Sequence, residues 1–222
     1  MNHRLLPSRV LLTSVAFLAI GAASFGAMAS AAQQTPVARP EVSAAIAMAG
    51  DAVAAWSSVA PDGSLRVAAA APASAAAEWV SPPGIGRDAP PVIAARGRDS
   101  VVLVASRTNS AGSYLWSRQW TPAGWQSTRY LPATDATMHH PALAGGTDRV
   151  WAVWVSGEAR SRGAAPRLMA ASWDGREWSK PRQLPGAPGN PMAPSITVDG
   201  NGVPIVVWAA SDGNDAEIWA SR

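Results

Sequence analysis

The chain alternates between short apolar runs and polar breaks marked by proline, glycine or aspartate. Four runs end in comparable places, Val53 to Trp56, Val101 to Val104, Val150 to Trp154 and Ile205 to Trp208. Their closing residues Trp56, Val104, Trp154 and Trp208 lie 48, 50 and 54 residues apart. From Val150 to Val155 both alternating faces are apolar, as expected of a strand covered on both sides. A proline-led apolar stretch and a turn precede each run, with the stretches at Pro40 to Ala45, Pro91 to Ala95, Pro141 to Ala144 and Pro194 to Val198. A polar loop and a third strand follow each run: Leu65 to Ala70, Tyr114 to Trp120, Arg167 to Trp173 and Glu217 to Arg222. In three copies a last strand holding Trp79, Trp125 or Trp178 closes the unit.

A repeat of about fifty residues with four short strands per unit predicts an all-β fold, a β-propeller of about four blades of four antiparallel strands. The blades span roughly 40–86, 90–134, 141–186 and 194–222 of a single domain covering 30–222. Alanines crowd the segment from Arg66 to Trp79 and favour a helix by propensity, but Pro72 and the repeat register favour strands. The fourth copy reaches Arg222 without an outer strand, and Gln34 to Arg39 is the candidate that would close the ring. A longer propeller, or a half-ring completed by self-association, is the alternative.

Arg4 and Arg9 precede an apolar run from Val10 to Ile20 that fades into small residues around Ala27 and Ala29, the pattern of an export signal over 1–29. An uncleaved anchor is the alternative, and no later segment is long and apolar enough to span a membrane. Cleavage removes both phenylalanines, Phe17 and Phe25, and leaves all eleven tryptophans. It also removes two of the 18 basic residues that face 15 acidic ones, so the near-neutral remainder gives no reason to expect a nucleic-acid partner. The chain has no cysteine and needs no disulfide to hold a core of this size. A secreted or periplasmic location follows.

Ser172, Trp173, Asp174, Gly175, Arg176, Glu177 and Trp178 form a turn with a physical logic: the carboxylate accepts turn amides, glycine takes positive φ and tryptophan packs beneath. The stretch resembles the Asp-box of sialidase-like β-propellers, shortened by one residue between Asp174 and Gly175. Gly124 and Trp125 retain part of the pattern in the second copy. The resemblance implies a fold that hosts lectins, glycosidases and scaffolds alike. It also implies, for an enzyme, an arginine triad, a tyrosine nucleophile with a glutamate, an aspartate acid, and an Arg-Ile/Leu-Pro motif. Arg39 and Pro40 lack the middle residue of that motif, only Tyr114 and Tyr130 could be nucleophiles, and no catalytic residue carries over.

His139 and His140 are adjacent, so in an extended chain they point apart and read as a solvated loop pair rather than a metal site. Asp212, Asn214, Asp215 and Glu217 lack the spacing of a calcium loop. No metal or cofactor is expected. Most tryptophans fall in repeated slots and read as blade packing, and Trp151, unmatched in other copies, reads as core. Trp120 and Trp173, at third-strand ends, with Arg118 beside them, are the candidate ligand-binding residues. The function expected is non-enzymatic recognition of a glycan by an exported propeller. A reduced sialidase-like hydrolase and an envelope scaffold binding protein are the alternatives.

Overall fold

The computed structural model describes residues 42–46 (backbone alone), 52–71, 76–133, 137–157, 165–185, 190–211 and 215–222, all in the compact unit Pro36–Arg222. The expected export signal at 1–29 and the closing strand at 34–39 lie outside the described residues.

The fold is all-β, and no described residue is helical. The first sheet runs β1 (Val42–Ile46), β2 (Ala52–Val59), β3 (Leu65–Ala70), β4 (Glu78–Trp79). The connection onward carries β5 (Arg87–Asp88), which pairs with the far end of β7. The second sheet then runs β6 (Val92–Arg96), β7 (Ser100–Asn109) and β8 (Gly112–Thr121), with β9 (Gly124–Trp125) and β10 (Arg129–Tyr130) both pairing β8. The third is β11 (Met138–Gly145), β12 (Val150–Ser156), β13 (Arg167–Trp173), β14 (Arg182–Gln183). The fourth is β15 (Asn190–Val198), β16 (Pro204–Ser211), β17 (Ala216–Ser221). Every pairing is antiparallel and, apart from β5 with β7 and β10 with β8, joins strands consecutive in the chain, which is the meander of a propeller blade.

The sheets stand side by side through their first strands, β1 against β6, β6 against β11 and β11 against β15. The second strands β7 and β12 are the most buried, which explains why their sequences are apolar on both faces. Successive residues of a strand face opposite neighbours, and the tryptophans use that rule in one direction. Trp116 and Trp120 pack on the first sheet, against Ala55 and Val67 and against Val53 and Ala71. Trp154, Trp173 and Trp178 pack on the second sheet, among Ala94, Val102, Val104 and Leu115. Trp208 and Trp219 pack on the third, against Val153, Val155 and Leu168. The second, third and fourth sheets therefore drive their wedge indoles into the sheet before, and Trp151, one residue out of phase, faces the sheet after it.

Register corrects three expectations. Trp154 pairs with Met169 and Trp208 with Trp219, but in the second sheet Ala105, not Val104, sits opposite Trp116. The small Ala105 lies across the ladder from the large Trp116, so the second sheet carries its wedge on β8 where the others carry it on the second strand. Trp79 pairs with Ala68 and so corresponds to Tyr130 and Gln183, whereas Trp125 and Trp178 pair back with Trp120 and Trp173 across tight turns. The outer strands are thus two-residue fragments. Thirdly, β11 and β15 start ahead of Pro141 and Pro194 because each carries a register shift, between His139 and Ala142 and between Met192 and Ser195.

Candidate functional site

The turn after β13 is held as its residue types require. Asp174 Oδ1 accepts the amides of Arg176 (2.8 Å) and Glu177 (3.0 Å). Those hydrogen bonds, Glu177 first, hold the Asp174 carboxyl below its ordinary range. Gly175 has φ +105°, a region L side chains rarely adopt, and a Cβ there would lie 2.6 Å from the Arg96 guanidinium. Arg96 reaches over from β6, donating to the carbonyls of Asp148 (2.9 Å) and Asp174 (2.7 Å). The Ser172 carbonyl accepts the Ser179 amide (2.8 Å) and the Ser172 amide donates to Ser179 Oγ (3.0 Å), and buried Trp178 donates its Nε1 to Ser117 Oγ at 2.9 Å. The turn is a clamp between the second and third sheets.

Of the three residues expected to bind ligand, Arg118 and Trp173 line one pocket between the second and third sheets, and Trp120 is not among its lining residues. Along β8, Ser117 and Gln119 face the third sheet while Trp116, Arg118 and Trp120 face the first. Trp120 is 3% exposed beneath Val53, Ala71 and Val101, which corrects its expected role as a sugar platform. Trp173 is 5% exposed, tilted against Trp178 with ring centroids 5.5 Å apart, and donates Nε1 to Gln119 Oε1 at 3.1 Å. Both indoles are buried, and Trp173 alone of the two reaches a pocket. Arg118 Nε donates to the Gln126 carbonyl at 2.8 Å, and burial lowers its pKa although Glu78 nearby works the other way. A polar pocket of about 300 Å³ does open between the second and third sheets, where Gln119, Gln126, Arg129 and Arg176 surround the little of Trp173 that shows.

A second cleft, of about 420 Å³, lies between the third and fourth sheets. Its floor is Val153, Leu184, Ile196 and Val206, and the half-buried Trp151 stands in its wall. Arg149, Lys180, Arg182 and Arg222 border it, and none of its described lining residues is Asp or Glu. The sequence reading placed Trp151 in the core because both faces of β12 are apolar. Its partners across the ladder, Ala144 and Ser172, are small, so the indole is left with a bare face toward the cleft. The signal that could have found it was its mismatch with every repeated slot.

Sequence reasoning also missed a buried ion pair. Arg107 and Asp88 meet through Nε to Oδ1 and Nη2 to Oδ2, both at 2.7 Å. Arg107 also donates to the Pro82 carbonyl (2.7 Å), Trp116 Nε1 donates to Asp88 Oδ1 (3.0 Å), and Ser81 Oγ donates to Oδ2. Burial works against the Arg107 charge, but the hydrogen bonds and charge of Asp88 raise its pKa above the ordinary value. The hint was a lone arginine continuing an apolar strand.

His139 and His140 do not point apart. The register shift in β11 and a left-handed φ of +51° at His140 bring the rings together, edge to face at 4.7 Å, with their Nδ1 atoms 3.1 Å apart. They belong to a strand, not a loop. Burial, and then the neighbouring His139, lower the His140 pKa. No group of three or more His, Cys, Asp or Glu residues capable of holding a metal occurs among the described residues. Tyr114 and Tyr130 meet edge to face at 5.7 Å at one margin of the second sheet, with Tyr130 on its outermost strand. Asp212 and Asn214 lie outside the described residues, and Asp215 and Glu217 are exposed.

No known family and no curated protein matches the sequence. Solved structures do match the fold. A protein of unknown function from Dyadobacter fermentans DSM 18053 superposes with a TM-score of 0.54 at 13% identity, covering 81% of this chain and 64% of that one. An ulvan lyase of polysaccharide lyase family 25 gives 0.51 at 12%, covering 81% and 52%. A thermostable family-43 glycoside hydrolase gives 0.50 at 14%, covering 82% and 70%. At such identities the likeness concerns the fold, a propeller type that glycan-active proteins share. No helix among the described residues is long and apolar enough to cross a membrane.

Proposed function

We propose that this chain is an exported, non-enzymatic propeller that recognises a glycan in the cleft between its third and fourth sheets. The observation that carries the reading is Trp151, the indole that leaves the packing direction of the others and lines a cleft instead of a core. Sugar rings present C–H faces that stack on an indole, while their hydroxyls need donors and acceptors at the rim. The cleft supplies both, from Trp151 and from Ser172, Ser179 and the basic side chains.

Binding without turnover is supported by the residue types present. Glycoside hydrolysis ordinarily takes a pair of carboxylates across the scissile bond, and neither cleft described above is lined by Asp or Glu. The fold's likeness to a glycoside hydrolase and a polysaccharide lyase agrees with a glycan as ligand.

Tryptophan-fluorescence titration against a glycan array tests the reading. Trp151→Ala is expected to abolish the response while leaving thermal unfolding nearly unchanged. Trp120→Ala is expected to cost about 3–5 kcal/mol of stability, since it empties a core site. Loss of binding on Trp120→Ala in a still-folded protein, with Trp151→Ala silent, would move the site elsewhere. Turnover of a fluorogenic glycoside would end the non-enzyme reading.

A further inference from the structure

The charged side chains around the cleft at Trp151 are all basic, with no Asp or Glu among its described lining residues, and that asymmetry bears on which glycan it takes. Arg149, just ahead of β12, and Trp151 within it both line the cleft, and Arg182, opposite Ala170, brings its side chain to the same cleft from β14. Lys180 follows the turn that ends at Trp178. Arg222 comes from the fourth sheet and is neutralised there by Asp199. Lys180 and Arg182 have no ion-pair partner among the described residues, and both are exposed at the rim. Arg149 Nη1 makes one long hydrogen bond, 3.5 Å, to Ser172 Oγ, and is close enough to Asp174 to lower that carboxyl's pKa slightly. Two unpaired cations and a third that is weakly engaged therefore flank one exposed indole face.

We propose that the cleft selects an acidic saccharide, a sugar bearing a carboxylate or sulfate, stacked on Trp151 with its acid group toward Arg149, Lys180 and Arg182. The inference rests on the glycan reading above and adds the charge of the ligand to it. An anion held beside these cations gains charge-assisted hydrogen bonds that a neutral sugar cannot make. Arginine suits this role because its planar fork can meet both oxygens of a carboxylate or two of a sulfate. The chain's balance of charge does not announce such a site, because basic and acidic residues nearly cancel along the chain while only basic ones reach this cleft.

The test uses the full chain and a panel of hexuronate oligosaccharides and sulfated galactan oligosaccharides, each beside its uncharged counterpart, methyl-esterified or desulfated. Binding is read by tryptophan fluorescence in the native protein, in Trp151→Ala and in a variant carrying Arg149→Gln, Lys180→Gln and Arg182→Gln. Binding is expected for acidic members, weakened about ten- to a hundredfold by the triple substitution and weakened again as salt rises from about 0.05 to about 0.5 M. The carboxylate and sulfate arms decide which acid group is preferred. Equal, salt-insensitive binding of the uncharged counterparts, lost on Trp151→Ala, would overturn the charge proposal and leave the glycan reading standing. Silence from every saccharide in the panel and its neutral counterparts would remove both. Thermal unfolding of each variant identifies one that has merely failed to fold, in which case Arg182→Gln alone, on the exposed rim, replaces the triple substitution.

Discussion

Arg107 and Asp88, 19 residues apart, close a bidentate ion pair in which neither side chain is exposed. It joins the connection from the first sheet to the long strand of the second, and every charged atom of the carboxylate has a donor. Removing one partner strands the other in a dry interior. Asp88→Ala is expected to lose about 3–5 kcal/mol in urea unfolding. The paired change Asp88→Leu with Arg107→Met is expected to recover much of that loss, because two apolar groups leave no charge behind. A double variant no more stable than the single one would show that the pair positions the chain in some way apolar packing does not replace.

Indole nitrogens divide the wedges into two kinds. Trp116 donates Nε1 to Asp88 and Trp178 to Ser117, whereas buried Trp154 and Trp208 find no partner for theirs among the described residues. Phenylalanine in place of Trp116 therefore loses volume and leaves Asp88 short of a donor. At Trp154 the same change loses volume but relieves an unmet polar group. Chemical denaturation should find Trp154→Phe the milder by about 1–2 kcal/mol, and equal costs would mean that ring volume alone governs both sites.

Acid tests the turn at Asp174. Its folded pKa is depressed below 3.8 by amides of Glu177 and Arg176, so its contribution is present above the unfolded pKa and is lost as pH falls through the folded one. Asp174→Asn is expected to cost less than about 1 kcal/mol at neutral pH, given how exposed the group is. The gap from the native protein should close in strong acid. A gap independent of pH would assign the effect to hydrogen-bond geometry rather than charge.

For His140 the sign runs the other way. Its folded pKa lies below the ordinary 6.5, so the neutral ring is the form the fold prefers. The stability it contributes is present above 6.5 and is lost as pH falls toward the folded pKa. Asparagine tolerates the left-handed backbone found there. His140→Asn should therefore fold normally and flatten the stability profile in the weakly acidic range. An unchanged profile would place the titration on some other group.

The strand plan was legible because alternation and a period near fifty are consequences of burial between repeated sheets: β3 and β13 run as the sequence read them. Register was less legible. Aligning apolar runs by their ends put Val104 in the tryptophan slot, while the ladder, which closes from Asn109 against Gly112, puts Ala105 there. Facing was not legible at all without the register. Trp120 and Trp151 differ in fate because one falls in phase with the backward-facing wedges and the other falls one residue out of it. Nothing local marks Asp88 as the partner of Arg107 either, since charge pairing across a sheet junction leaves no spacing rule in the chain.

The common direction of the wedges makes the stack a polar object. The second and third sheets each present aromatic pegs on one side and sockets lined by valine, leucine and alanine on the other, as Trp154 into the second sheet and Trp208 into the third illustrate. A duplicated sheet would arrive with a peg for the socket before it and a socket for the peg behind, so such an architecture can lengthen by copying one unit without inventing a new interface. The same rule prices divergence: a residue that turns against the grain, as Trp151 does, is released from assembly and is free to acquire chemistry of its own.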